Sequence, residues 1–179
     1  AAWWRWRWAG LLAAKEARRK MLAVPLMWMV CAVAYYGHVF AYPLVLESRL
    51  AMPAQDRFVA VMLAGAVEIP GVAVGACLID VRGVGRRLSI LGFYLAAAAT
   101  ALSAPLLMDA SAFLAANMLL KTLLNAPFSI LWVTTAELFP TTHRATAVAL
   151  CSGAARVAGI ATPPLFAWAL TRSVAAAYM

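Results

Sequence analysis

Long apolar runs separated by short polar segments dominate the chain. Each run has about 20 residues or more, which at a rise of 1.5 Å per residue is enough to cross a hydrocarbon core of ~30 Å as a helix. The alternating pattern of about ten residues that marks a membrane β-barrel strand is not present. The pattern predicts five transmembrane helices, at residues 21–46, 58–79, 88–108, 111–136 and 145–170.

The composition supports this prediction. The 179 residues are 65% hydrophobic and 12% charged, with a mean hydropathy of +0.84. A soluble domain of this size would expose much of that apolar surface to water, whereas a lipid bilayer solvates it. We therefore predict an all-α, polytopic membrane protein in contact with lipid. Residues 1–20 form a cytoplasmic linker or interfacial segment, and residues 21–179 form part of a transmembrane half-domain.

The net charge of +8 indicates the orientation of the helices in the membrane and does not indicate a nucleic-acid site. Basic residues lie between the apolar runs, and Lys and Arg concentrate on the cytoplasmic side of membrane proteins. This rule predicts a cytoplasmic N-terminus, in a membrane that the sequence does not identify. The cytoplasmic side then holds Arg5, Arg7, Lys15, Arg18, Arg19, Lys20, Arg82, Arg86, Arg87 and Arg144, against Arg49, Arg57 and Arg172 on the other side.

Both ends of the chain suggest a piece of a longer protein. It begins Ala-Ala without an initiator methionine, and residues 173–179 are too short to span a membrane, as if a sixth helix began there. The opening AAWWRWRW suits the membrane interface, where Trp and Arg are common. Its period of two does not make an amphipathic helix, so a non-native start is an equal alternative.

Three charged residues lie deep inside the predicted spans. Counted from the cytoplasmic ends at 1.5 Å per residue, Glu68 and Arg156 lie at a depth of about 18 Å and Lys121 at about 24 Å. A charge at the helix centre costs roughly 2.5–3.5 kcal/mol or more, so these side chains are expected to share a polar interior. The simpler interpretation is an ion pair of Glu68 with Arg156 or Lys121 that only ties helices together.

No pattern indicates an enzyme, a metal site or a cofactor. Cys31, Cys77 and Cys151 all fall within apolar runs, where small packing residues are expected. His38 and His143 lie near opposite ends of the spans and do not combine with a nucleophile or with metal-ligand spacing.

Five short motifs resemble those of one family of membrane transporters. They are Tyr35-Tyr36-Gly37, Val67-Glu68-Ile69-Pro70, the loop from Asp80 to Arg87, Glu137-Leu-Phe-Pro-Thr141 through Arg144, and Cys151 through Arg156 to Pro163. In these motifs the chain is similar to the major facilitator superfamily, in its organic-ion transporter and synaptic-vesicle-2-related branch. The resemblance covers nearly all of residues 21–172.

The resemblance implies a twelve-helix transporter of two six-helix halves that works by alternating access. This chain would hold helices seven to eleven, truncated before the last, and its partner would be the N-terminal six-helix half. The loop residue Asp80 would engage Arg144, near Glu137, Arg86 and Arg87, as a cytoplasmic latch. One departure concerns Val81, which follows Asp80 where the family usually has a base, with two extra residues before Gly85.

The resemblance also implies a substrate. Arginine at the position of Arg156 is typical of anion carriers, whereas cation carriers tend to have an acidic residue there. The implied site for a small organic anion or zwitterion consists of Arg156, Lys121, Glu68, Tyr35, Tyr36 and Asn125. Two alternatives stay open: a membrane protein that binds a ligand or partner without transport, and an inactive fragment.

Overall fold

The computed structural model describes residues 15–107 and 109–172, with the side chains at 15–17, 170 and 172 left aside. The regular structure of these residues is entirely helical. The predictions for the tryptophan-rich start and for a sixth helix after residue 172 lie outside the described residues. The helices are α1 (Lys15–Leu50), α2 (Ala54–Ala66), α3 (Glu68–Leu78), α4 (Gly85–Ser103), α5 (Ala110–Leu138) and α6 (Thr141–Arg172), and a 3₁₀ turn (Ala104–Leu106) follows α4.

Five helical stretches in the described part of the chain are long and apolar enough to cross a membrane. They are Arg18–Leu50, Ala54–Leu78, Gly85–Leu106, Ala110–Leu138 and Thr141–Ala169. The prediction of an all-α protein with five membrane helices is therefore confirmed. Several helices extend beyond the predicted spans, because hydropathy marks only the part that matches lipid and polar residues continue the helix on either side.

Helix α5 is the centre of the arrangement and contacts every other helix. Its buried residues include the polar side chains of Asn117, Lys121 and Thr135. Helix α1 packs along both α5 and α6, and the buried Trp28 of α1 donates a hydrogen bond to Thr135 Oγ1 at 2.9 Å. These three polar side chains of α5 therefore face other helices.

The second membrane span is interrupted at Val67, between α2 and α3. Pro70 has no N–H to donate to the carbonyl of Ala66, which weakens the helix there. The Thr122 hydroxyl of α5 donates to the Val67 carbonyl at 3.2 Å. A Cβ atom at Gly71 would overlap the Thr122 methyl, so glycine permits this close approach. The interruption places Glu68, the first residue of α3, directly against α5.

The start of α5 lies outside the apolar run and has its own cap. The Asp109 carboxylate accepts hydrogen bonds from the hydroxyl of Ser111 and, at 2.9 Å, from the backbone N–H of Ala112. These hydrogen bonds hold the pKa of Asp109 below its ordinary value, and the one from Ser111 has the larger effect. Arg49 of α1 donates to the neighbouring carbonyls of Pro105 and Leu107 at 3.0 and 2.7 Å, which ties the end of α1 to the 3₁₀ turn after α4.

Candidate functional site

The Glu68 carboxylate lies at the meeting point of three helices. Lys121 Nζ of α5 lies 2.9 Å from Glu68 Oε1. Asn125 Nδ2, one turn further along α5, donates to Oε2 at 2.7 Å. The Tyr35 hydroxyl of α1 lies 3.2 and 3.1 Å from the two oxygens. We call these four residues the Glu68 cluster.

The Glu68 cluster is largely buried, and its carboxylate is satisfied from within the cluster. The side chains of Lys121 and Glu68 are only 9% and 14% exposed. A carboxylate accepts about four hydrogen bonds, and three donor groups already occupy Glu68. The ammonium of Lys121 and the carboxylate cancel each other's charge, so the cluster as a whole is neutral. Of the two ion pairs that the sequence left open for Glu68, the structure contains the one with Lys121.

Arg156 lies elsewhere, in a groove between α1, α5 and α6. The groove has a volume of about 610 Å³, in the range of small-molecule sites. Its lining is mainly aromatic and aliphatic, with Arg156 as its charged side chain and Ser152 one helical turn before it. We call it the aromatic groove; it is lined by Trp28, Tyr36, Val39, Phe40, Phe128, Trp132, Ser152, Ala155, Arg156, Gly159, Ile160 and Pro163.

Arg156 is exposed, and none of the described residues forms a hydrogen bond or an ion pair with its guanidinium. The neighbouring aromatic rings pack tightly, with the Trp28 and Trp132 centroids 4.5 Å apart. Gly159, one turn after Arg156, leaves room for the ring of Tyr36, which a Cβ atom there would touch at 3.4 Å. The groove thus presents an uncompensated cation on an apolar wall, an arrangement that suits an anion attached to an apolar body.

The two regions are adjacent, because Tyr35 and Tyr36 are neighbours on α1. Tyr35 bonds Glu68, whereas Tyr36 lines the aromatic groove, and their ring centroids are 5.4 Å apart. Phe128 of the groove stacks on Tyr35 with a centroid separation of 6.4 Å. The Glu68 cluster and the groove that contains Arg156 are therefore in contact through these aromatic rings.

The residues of the predicted cytoplasmic latch belong neither to the Glu68 cluster nor to the lining of the aromatic groove. Arg86, near the start of α4, contacts Glu137 at the end of α5, with Nη2–Oε1 and Nε–Oε2 distances of 2.7 Å each. Asp80, Arg87 and Arg144 are exposed, and Asp80 does not form a salt bridge with Arg144 in this conformation. The pair that forms therefore joins Arg86 to Glu137, and the Asp80–Arg144 contact stays a prediction for another conformation.

Sequence reasoning missed most of the groove lining. Phe128 with Trp132, Tyr36 with Phe40 and Ser152 with Arg156 are each four residues apart in the sequence, the spacing of one helix face. That periodicity could have identified three faces that converge on one site. Within the described ranges, no three His, Cys, Asp or Glu side chains are grouped so that they could hold a metal ion.

Comparison with known proteins identifies a family. Residues 5–179, almost the whole chain, match the model of the family described as Sugar (and other) transporter. Solute carrier family 22 member 15 of Xenopus tropicalis is 30% identical to the chain over 156 residues, which are 82% of this chain and 27% of that protein.

Two further relatives belong to other organisms. Solute carrier family 22 member 3 of Mus musculus is 27% identical over 155 residues, 86% of this chain and 26% of that protein. Organic cation/carnitine transporter 7 of Arabidopsis thaliana is 28% identical over 154 residues, 77% of this chain and 30% of that protein. The chain thus spans less than a third of the length of the curated relatives it matches.

Proposed function

Because this chain belongs to the sugar (and other) transporter family, within the major facilitator superfamily, we propose that the protein carrying it transports a small organic anion or zwitterion across a membrane. Arg156 binds the anionic group of the solute, and the aromatic groove binds its apolar body. Tyr36 contributes to the groove directly, and Tyr35 supports it from the Glu68 cluster.

The observation that carries this proposal is the unpaired state of Arg156 among the described residues. A guanidinium stays charged at every physiological pH and can bind a carboxylate, phosphate or sulfate through two parallel hydrogen bonds. An unpaired charge on an apolar wall is costly inside a membrane protein and marks a functional position by default. One relative is named an organic cation/carnitine transporter. Carnitine itself bears a carboxylate, so a zwitterionic solute is consistent with the proposal.

Transport requires that the groove open to each side of the membrane in turn. In our proposal an N-terminal six-helix half supplies the opposite wall, and the N-terminus of the present stretch lies in the cytoplasm. The contacts at the cytoplasmic ends of the helices differ between the state that is open to the cytoplasm and the state that is open to the other side. These contacts involve Asp80, Arg86, Arg87, Glu137 and Arg144. Exposed ion pairs are worth only about 0–1 kcal/mol each, so such contacts can bias the states and still break in every cycle.

The test is uptake by the complete protein in proteoliposomes. The probes are benzoate and phenylalanine, an aromatic monoanion and an aromatic zwitterion. Arg156→Ala is expected to reduce uptake of both by roughly 10- to 100-fold, because a hydrogen-bonded charged contact is worth about 1.5–3 kcal/mol. Arg156→Lys keeps the charge but not the paired donors, so it should fall in between.

Arg19→Ala is the matched control, since Arg19 is an exposed arginine at the start of α1, away from the groove. It should transport like the wild type. Uptake that is the same in Arg156→Ala as in the wild type would contradict the role of Arg156. A correctly inserted wild type that accumulates neither probe above protein-free vesicles would contradict the proposed function.

A further inference from the structure

The Glu68 cluster has no vacancy for a solute, yet it stands next to the aromatic groove. Tyr35, Lys121 and Asn125 already donate to the Glu68 carboxylate at distances between 2.7 and 3.2 Å. A solute that bound there would have to displace these donors from a buried charge. The cluster is therefore unsuited to direct solute contact, and its influence on the groove is electrostatic.

The charges of the two regions can be counted together. Glu68 and Lys121 cancel each other, whereas Arg156 has no counter-ion among the described residues. The rings of Tyr35, Tyr36 and Phe128, at which the two regions are in contact, contain no charged group. Apolar material screens poorly, so a change in the charge of the cluster would be felt at the groove.

We infer that Glu68 determines the charge of the accepted solute by cancelling the charge of Lys121, so that the groove takes solutes with a single anionic group. This inference rests on the proposed function and makes Glu68 a specificity-determining residue that does not touch the solute. Arg156 alone neutralises a monoanion. A dianion in the same groove would keep one uncompensated negative charge in a poorly solvated place, which is unfavourable.

The inference predicts how three variants change the net charge around the groove. Glu68→Gln leaves an uncompensated Lys121 and adds one positive charge. Lys121→Gln leaves an uncompensated Glu68 and removes one. The double variant Glu68→Gln/Lys121→Gln removes both charges, so the net charge stays that of the wild type. Gln retains a shape close to Glu and can still accept from Tyr35.

The experiment measures uptake of benzoate and phthalate, a monoanion and a dianion on the same ring, by the complete protein in proteoliposomes. Glu68→Gln should raise the phthalate-to-benzoate ratio roughly tenfold, because the second carboxylate of phthalate gains the attraction of one unit charge at an effective dielectric constant of about 20. Lys121→Gln should lower the ratio. The double variant should restore the ratio of the wild type.

Each outcome supports or overturns either the inference or the proposed function. A ratio that is the same in Glu68→Gln as in the wild type overturns the inference while benzoate uptake still depends on Arg156, so the proposed function survives. A wild type that accumulates neither benzoate nor phenylalanine overturns the proposed function instead. If Glu68→Gln does not reach the membrane, Lys121→Gln remains: a lowered ratio supports the inference, and a wild-type ratio overturns it.

Discussion

The Glu68 cluster and the aromatic groove contain charges of similar predicted depth, but their surroundings differ. In the cluster, the ammonium of Lys121 lies 2.9 Å from a carboxylate, and two further donors complete the shell. In the groove, Arg156 shares the lining with aromatic side chains, and its guanidinium is unpaired among the described residues. The comparison shows that depth alone does not indicate a binding site. A buried charge with all its partners holds helices together, whereas an exposed charge without partners is available to a ligand.

The largest expected effect is a difference in protein stability between a variant of the Glu68 cluster and a variant of the aromatic groove. Lys121→Met should destabilise the complete protein by about 3–5 kcal/mol, because it leaves the Glu68 carboxylate buried without its counter-ion. Arg156→Met should change stability by only about 0.5 kcal/mol or less, since Arg156 has no protein partner to lose. Thermal unfolding of the two purified variants in the same detergent measures the difference.

The double variant Glu68→Gln/Lys121→Met tests the reason for that effect. Removing both charges should recover most of the stability that Lys121→Met loses, because no uncompensated charge is left. Equal destabilisation by the Lys121 and Arg156 variants would contradict the distinction between a paired and an unpaired charge.

A smaller effect is expected at the boundary between the regions. Tyr35→Phe removes the hydroxyl that donates to Glu68 but keeps the ring that stacks on Phe128. The expected loss of stability is about 0.5–1.5 kcal/mol, the usual contribution of one hydrogen bond. Tyr36→Phe is the matched control, because the structure gives the Tyr36 hydroxyl no bond to Glu68. A larger loss in Tyr36→Phe than in Tyr35→Phe would contradict the assignment of the two tyrosines to different regions.

The smallest effect is expected at Asp109, a carboxylate outside both regions that serves as a reference. Hydrogen bonds from Ser111 and Ala112 favour its charged form and lower its pKa. Its contribution to stability is therefore present above its ordinary pKa and is lost as the pH falls through the lower pKa of the folded state. Asp109→Ala should lower the unfolding temperature slightly at pH 7 and leave it closer to that of the wild type near pH 3. A difference that grows with acidity would contradict the cap.

The sequence predicted the helices well because their signal is local. Apolar runs of sufficient length indicate membrane helices whatever their neighbours, and the five spans were found on that basis alone. The same runs placed Glu68, Lys121 and Arg156 inside the spans. Helix ends were less accurate, because polar residues such as Glu47 of α1 continue a helix beyond the lipid-matching run.

The division of the charges into two regions could not be predicted, because it depends on which helices pack together. Depth along each span made Arg156 as plausible a partner for Glu68 as Lys121. The packing of α3 on α5 decided the matter, since the interruption at Val67 and the contact of Gly71 with Thr122 bring Glu68 against the Lys121 face. The sequence contains the residues of that contact, but nothing in one chain's hydropathy says that they meet.

The most direct test of the central claim is binding of benzoate to the purified complete protein, measured as a rise in its unfolding temperature. A ligand that binds only the folded protein raises this temperature as its concentration exceeds the dissociation constant. The account predicts that benzoate stabilises the wild type and the Glu68→Gln/Lys121→Gln variant but not Arg156→Ala. Stabilisation of Arg156→Ala equal to that of the wild type would contradict it, because the anion would then bind without the unpaired arginine.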